Sequence, residues 1–296
     1  MKTGTGLPTL AVALTAILWG LWWIPLRWLA ENGLPGDWAS LALYSIGAAV
    51  LLPFAWARRR HLRAGGFGLL LCGTLMGMVM VFWNHAILVG EVMRVVLLFY
   101  LAPVWATLLS IFVLKVHVGP LRALTVALGL SGAAIILGFE GGLPVPRSEG
   151  DWMGLISGVL FAFATMLARD SENVAGFDKT FVTFAAAAPV ALILILVDGM
   201  PEPTGRMVLD VMPRAAAIAV FLLVPVTWPI LWGATRLEPG RVSILLLFEV
   251  VAASISASLL TDEPFGRREV SGCVLILLAG VTEALPELRP RRDAAR

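Results

Sequence analysis

The sequence predicts an all-α integral membrane protein: ten transmembrane helices arranged as two inverted five-helix repeats. Composition is the first reason. Of 296 residues, 59% are hydrophobic and 14% charged, against about 25% charged in a soluble domain. Such a chain cannot cover itself with polar surface and must use lipid as its solvent. The second reason is a count of ten apolar runs, near 8–29, 38–57, 67–89, 92–114, 120–139, 152–169, 179–197, 213–234, 240–261 and 268–285. Each approaches the ~20 residues that a bilayer-crossing helix needs. The third is an internal echo. The stretches 91–119 and 238–266 align without a gap at an offset of 147, sharing Glu91 with Glu238, Arg94 with Arg241, Leu98 with Leu245, Ala106 with Ala253 and Gly119 with Gly266.

The first run is too long for the apolar core of a signal peptide, and no small-residue cleavage site follows it. It reads as an uncleaved first span. The breaks between later runs are charged or rich in Gly and Pro, as in ENGLPGD, ARRRHLRAGG and DGMPEPTGR. The break at Gly90 is very short, so spans 3 and 4 are expected to form a tight antiparallel pair. The sixth run aligns with the first at an offset of 142, placing Arg27 over Arg169. The expected units are a first five-helix repeat over 1–140, a connecting loop over 141–150, a second repeat over 151–285 and a basic tail over 286–296. Five spans is an odd number, so the second copy must cross the membrane upside down. Inverted repeats of this kind give two half-states that open to opposite sides of a midplane site.

Ten spans place both termini on one side. Sorting the loops accordingly gives 15 Lys and Arg on that side and 7 on the other. The positive-inside bias makes the richer side cytoplasmic. Trp28, Trp38, Trp56 and Trp152 fall at span ends, where indoles anchor at headgroups. Arg27 is expected to pair with Glu140 at the outer rim, and Arg94 and Arg241 to snorkel to opposite interfaces.

A net charge of +2 gives no case for nucleic acid as a partner. Cys72 and Cys273 lie in apolar runs without a CxxC or a neighbouring His, and the chain has three histidines. Neither a metal nor a cofactor is therefore expected. There is no Walker A, HExxH or GxSxG pattern, so an enzyme is not expected.

Several motifs resemble those of the drug/metabolite transporter superfamily in its ten-span form with two EamA domains. Trp19-Gly20, followed by Pro25 and Arg27, is similar to the first-span pattern of that family. Leu101-Ala102-Pro103 is similar to its fourth-span L-x-P. Phe248-Glu249-Val250 stands where the second repeat carries L-E-P, keeping the glutamate and losing the proline. Glu263 falls at the family's G-E position, and Val116 departs from it in the first half. The Trp-rich, His-bearing character is similar to the superfamily's amino-acid exporters, the aromatic-amino-acid exporter among them. The resemblance implies an inner-membrane secondary transporter exporting amino acids or related small metabolites. A broad drug or metabolite permease is the alternative, and a membrane-embedded lipid-modifying enzyme is the alternative of another class. The expected partners are a small-molecule substrate and the lipid bilayer.

Glu249 is the sharpest single signal. A carboxylate at such depth costs roughly 3 kcal/mol on insertion scales, so it needs a cavity or a partner. It reads as a substrate-amine acceptor or a proton carrier, against a purely structural hydrogen bond. Ala252, Ala253 and Ser256 follow on its face and are expected to leave that face open. The repeat sets Ala102 opposite Glu249, so Trp105 and Tyr100 are expected to look into the same space, Trp105 serving the cavity or packing alone. Trp19 reads as a pocket wall or a core residue. Asn84 and His85 are polar residues in an apolar run, lining the cavity or bonded within the core. Pro225 and Pro229 flank Trp228 and should kink or break span 8, bringing Trp228 and Trp232 near the pathway. Pro25 and Pro103 are candidate hinges of the same kind.

Overall fold

In hydrocarbon every backbone N–H and C=O must find its partner within the chain, which selects helices for apolar runs of this length. The computed structural model describes residues 6–90, 95, 98–113, 115, 119–137, 146–170, 174–260 and 266–288, and shows no strand among them. Glu91, Arg94, Val116, Glu140 and Glu263 lie outside the described residues, as do the end of the tail and most of the 141–150 loop.

The first half comprises α1 (Gly6–Gly20), α2 (Trp23–Glu31), α3 (Asp37–Ala57), α4 (Arg59–Val89), α5 (Ala102–Phe112) and α6 (Pro120–Leu137). The second half comprises α7 (Glu149–Asp170), α8 (Gly176–Asp198), α9 (Gly205–Ile218), a π-helical turn (Ala219–Leu223), α10 (Val224–Ala234), α11 (Pro239–Leu246), α12 (Phe248–Leu260) and α13 (Arg267–Leu288).

Seven stretches are long and apolar enough to cross a membrane, by length and composition: Gly6–Glu31, Asp37–Ala57, Arg59–Ile87, Glu149–Ala168, Gly176–Asp198, Gly205–Ala234 and Arg241–Leu260. Each coincides with an expected run. The runs at 92–114, 120–139 and 268–285 hold α5, α6 and α13, which do not reach the same length and apolarity over their described residues. The structure thus shows seven such spans among the described residues, where the sequence led us to expect ten.

Three expectations concern how the helices join. The basic run after α3 is helical, not a loop. It leads into the apolar part of α4 through Gly66, whose φ of 53° suits a residue without Cβ. Span 8 continues past its prolines but not as a regular α-helix: Pro225 falls in the first turn of α10, and a π turn interrupts the α ladder directly before it. Spans 3 and 4 touch over the described residues through Trp83 and Phe99, whose rings lie 4.5 Å apart, while α4 also packs on α7 and α8, and α5 on α11 and α7.

The packing has a two-fold pattern. Exchange of the halves turns the α4–α7 contact into α10–α1, and the α5–α7 contact into α12–α1. The contacts α3–α8 and α6–α13 map onto themselves. Small residues make the approaches possible, as they do between helices in lipid. Gly150 abuts Gly90 and the Ala86 carbonyl, while Gly233 abuts Val12 and the Pro8 carbonyl. The offsets of 147 and 142 map Ala86 onto Gly233 and Pro8 onto Gly150, so these are the same contact seen twice.

The two ends of the bundle are tied separately. At one end Arg58 makes a bidentate pair with Asp178 on α8, at 2.9 and 3.0 Å. At the other, the Trp38 indole donates to the Pro201 carbonyl at 3.1 Å, and Arg214 stacks over Trp28. Trp56 and Trp152 are exposed on the outside of the bundle. Arg27 pairs with Glu31 one turn along its own helix, at 2.9 Å.

Candidate functional site

Three interruptions of helical backbone meet around Glu249. In span 1, Pro25 has no N–H for the Leu21 carbonyl, which instead accepts from Ile24 at 3.2 Å. The chain tightens there, with Leu21 donating to Leu18 and Trp22 to Trp19. In span 4, Leu101 donates to Leu98 at 3.3 Å, and α5 starts with Pro103 in its first turn. In span 9, Leu247 donates to Ile244 at 3.1 Å and separates α11 from α12. Tyr100 and Leu247 are equivalent under the 147 offset, so both repeats break at one position. The second repeat does so although Val250 stands where the first has Pro103. Irregular backbone at membrane depth is tolerated where it is buried in protein or lines a cavity.

These breaks position the side chains. Glu249 enters the first turn of α12, and the Tyr100 hydroxyl donates to its carboxyl. Tyr100 is 4% exposed and sits in an aromatic group: its ring lies 5.6 Å from Phe99, which lies 4.5 Å from Trp83 and 6.0 Å from Phe161. On the other side of Glu249 stands α1. A Cβ on Gly20 would meet the Glu249 carbonyl oxygen, the Ala252 Cβ at 2.6 Å and the Ala253 nitrogen at 2.9 Å. The small residues after Glu249 therefore do not leave an open face; they admit α1. Ser256 is taken as well, accepting from the Trp23 indole at 3.1 Å.

Trp19 precedes Gly20 and packs against both hydrophobic cores of the bundle. Its ring is 5.1 Å from that of Trp22. The indole Nε1 atoms of Trp19, Trp22 and Trp105 are all buried without a hydrogen-bond partner. Three unused donors in an apolar interior are unusual, because buried polar groups are nearly always satisfied.

The remaining expected site residues lie elsewhere. Asn84 donates to Ser40 at 2.8 Å and to Tyr44 at 3.1 Å, tying α4 to α3. His85 Nδ1 is 2.7 Å from Asp37 Oδ2, at the end of the bundle where α3 begins. Trp228 and Trp232 stack at 5.9 Å, with Arg236 over Trp232 at 4.7 Å. They line a pocket of about 330 Å³ with Val174, Ala175, Gly176 and Phe177, apart from Glu249. Pro229 lies inside α10. Sequence reasoning missed Gly20 as a contact, Trp22, Trp23 and the Trp83–Phe99–Phe161 group. Only Gly20 carried a signal, as the second residue of the Trp-Gly pair.

One solved crystal structure is 20% identical to this chain and matches it with a TM-score of 0.73, covering 98% of this chain and 100% of its own; it is similar in fold. No curated protein matches significantly. Residues 7–138 and 148–282 each match the EamA-like transporter family. Two copies of that domain occupy most of the sequence, so this multi-pass membrane protein belongs to the EamA-like transporter family, within the drug/metabolite transporter superfamily.

Proposed function

We propose that the protein exports amino acids or related small metabolites across the inner membrane by alternating access between two inverted five-helix repeats, with ten spans and both termini cytoplasmic. The observation that carries the reading is the Tyr100–Glu249 hydrogen bond, which joins the two repeats where three helix breaks meet. Discontinuous helices at a repeat interface are where such transporters bind cargo. The donors and acceptors suit a zwitterion. Glu249 offers an acceptor to an ammonium group, aided by the surrounding aromatic faces. The unpartnered indoles of Trp19, Trp22 and Trp105 offer donors to a carboxylate. The same carboxyl is placed to carry a proton. Pro25 and Pro103, each beside a break, act as hinges.

The test is purified protein in liposomes loaded with radiolabelled amino acids, with and without a pH gradient. Efflux of one or more amino acids above protein-free liposomes supports the reading. Movement of apolar cations with no amino-acid transport would replace it with a drug permease.

A further inference from the structure

Apart from Glu249, one cluster of ionisable side chains stands out where α3 begins and α4 and α8 end. His85 is 1% exposed. Its Nδ1 lies 2.7 Å from Asp37 Oδ2, and its Nε2 lies 3.6 Å from Asp198 Oδ2. One ligand atom from each of the three residues can be chosen so that all lie within 4.8 Å of one another. Nε2 has no hydrogen-bond partner, although it is buried and aimed at a carboxylate. Asp37 is fully buried and its Oδ1 is also unpartnered. Glu149, at the start of α7, adds a further negative field at the imidazole.

We infer that Asp37, His85 and Asp198 form a binding site for a divalent transition-metal cation of the zinc type. The chemistry follows from the imidazole. With its Nδ1–H donated to Asp37, His85 presents a lone pair on Nε2, and such a carboxylate–histidine pair is the usual way of orienting a metal-binding ring. Zinc bonds to His nitrogen and carboxylate oxygen at about 2.0–2.2 Å. Two ligands on a tetrahedral centre at that range stand roughly 3.4 Å apart, close to the 3.6 Å between Nε2 and Asp198 Oδ2. Imidazole with carboxylate favours zinc and its neighbours over magnesium or calcium, which prefer oxygen alone. Asp198 is 27% exposed, so the ion has a way in and water can complete its shell. His85 belongs to the first repeat and Asp198 to the second. A bound ion joins the two repeats at one end of the bundle.

The test is direct titration of the purified, detergent-solubilised protein with zinc chloride, using isothermal calorimetry and cobalt(II) as a spectroscopic probe. One saturable site per chain is expected. Asp198→Asn and His85→Gln should weaken binding at least tenfold, and Asp37→Asn by about 10–100-fold, as for other orienting carboxylates. Asp198→Asn changes only the partly exposed last residue of α8, so it keeps the fold if His85→Gln does not. No saturable binding, or binding unchanged in Asp198→Asn, would overturn the inference. Neither readout depends on transport, so the identity of the cargo does not enter.

Discussion

Tyr100 and Glu249 come from opposite halves of the chain, and the hydroxyl of one donates to the carboxyl of the other. The bond crosses the interface between the repeats at the point where each breaks its helix. Any rocking of one half against the other must keep, stretch or exchange it.

Removing the carboxylate should therefore affect transport more than folding. Glu249→Gln keeps the shape and the hydrogen bond to Tyr100 but loses the charge. A charged hydrogen bond is worth about 1.5–3 kcal/mol, so amino-acid efflux from proteoliposomes should fall roughly 10- to 100-fold. Its dependence on external pH should flatten. Tyr100→Phe should give a smaller loss. Full activity in Glu249→Gln would reduce the residue to a structural role.

Gly20 lies at a close approach of α1 to α12. Gly20→Ala would push a methyl group against the backbone of Glu249 and Ala253. Overpacking of this kind costs about 1–3 kcal/mol. We expect a lower thermal unfolding midpoint in detergent together with lost efflux. Gly158→Ala, where the added Cβ meets the Phe99 carbonyl oxygen at 2.7 Å, should behave likewise.

Asn84 ties two helices through donors to Ser40 and Tyr44, both buried. Asn84→Leu deprives both hydroxyls of that partner, at a cost of about 1–3 kcal/mol for a buried polar group left unsatisfied. Unfolding measured by tryptophan fluorescence should shift to lower temperature. Asn84→Gln should recover less than the full difference, because the longer arm misplaces the amide.

At the opposite end, Arg58 neutralises a carboxylate that is 1% exposed. Arg58→Gln leaves Asp178 buried without its bidentate partner. A fully buried pair would lose 3–5 kcal/mol; with Arg58 39% exposed, solvent screening reduces this to about 1–3 kcal/mol. The double change to Arg58→Gln with Asp178→Asn should be more stable than Arg58→Gln alone, a comparison that a double-mutant cycle reads directly.

Topology has its own test. Tags at the two termini should both be inaccessible to a membrane-impermeant reagent in intact cells, while a cysteine introduced at Glu202 should be labelled. Opposite accessibility of the two ends would remove the inverted-repeat arrangement.

Much of this was legible in the sequence. Composition alone required lipid as solvent, because 14% charge cannot coat the surface of a chain this apolar. Run lengths located the helices, since a segment in hydrocarbon has to close its own hydrogen bonds. Glu249 was conspicuous for the converse reason: it was a charge inside an apolar run. What the sequence could not give was which faces meet. Ala252 and Ala253 read as an open wall, and only the tertiary structure shows Gly20 packed there. His85 read as a lone histidine, lining the cavity or bonded within the core. Its partners Asp37 and Asp198 lie 48 and 113 residues away, and only the packing of α3 against the two helices α4 and α8, which both end there, brings the three together. Trp228 and Trp232 read as residues near the pathway; in the structure they line a pocket with Gly176 and Phe177, on a helix packed against α1 and α8. Local hydrogen bonding and solvation fix what each segment becomes; the pairing of small residues across helices, which has no local signal, fixes what each side chain faces.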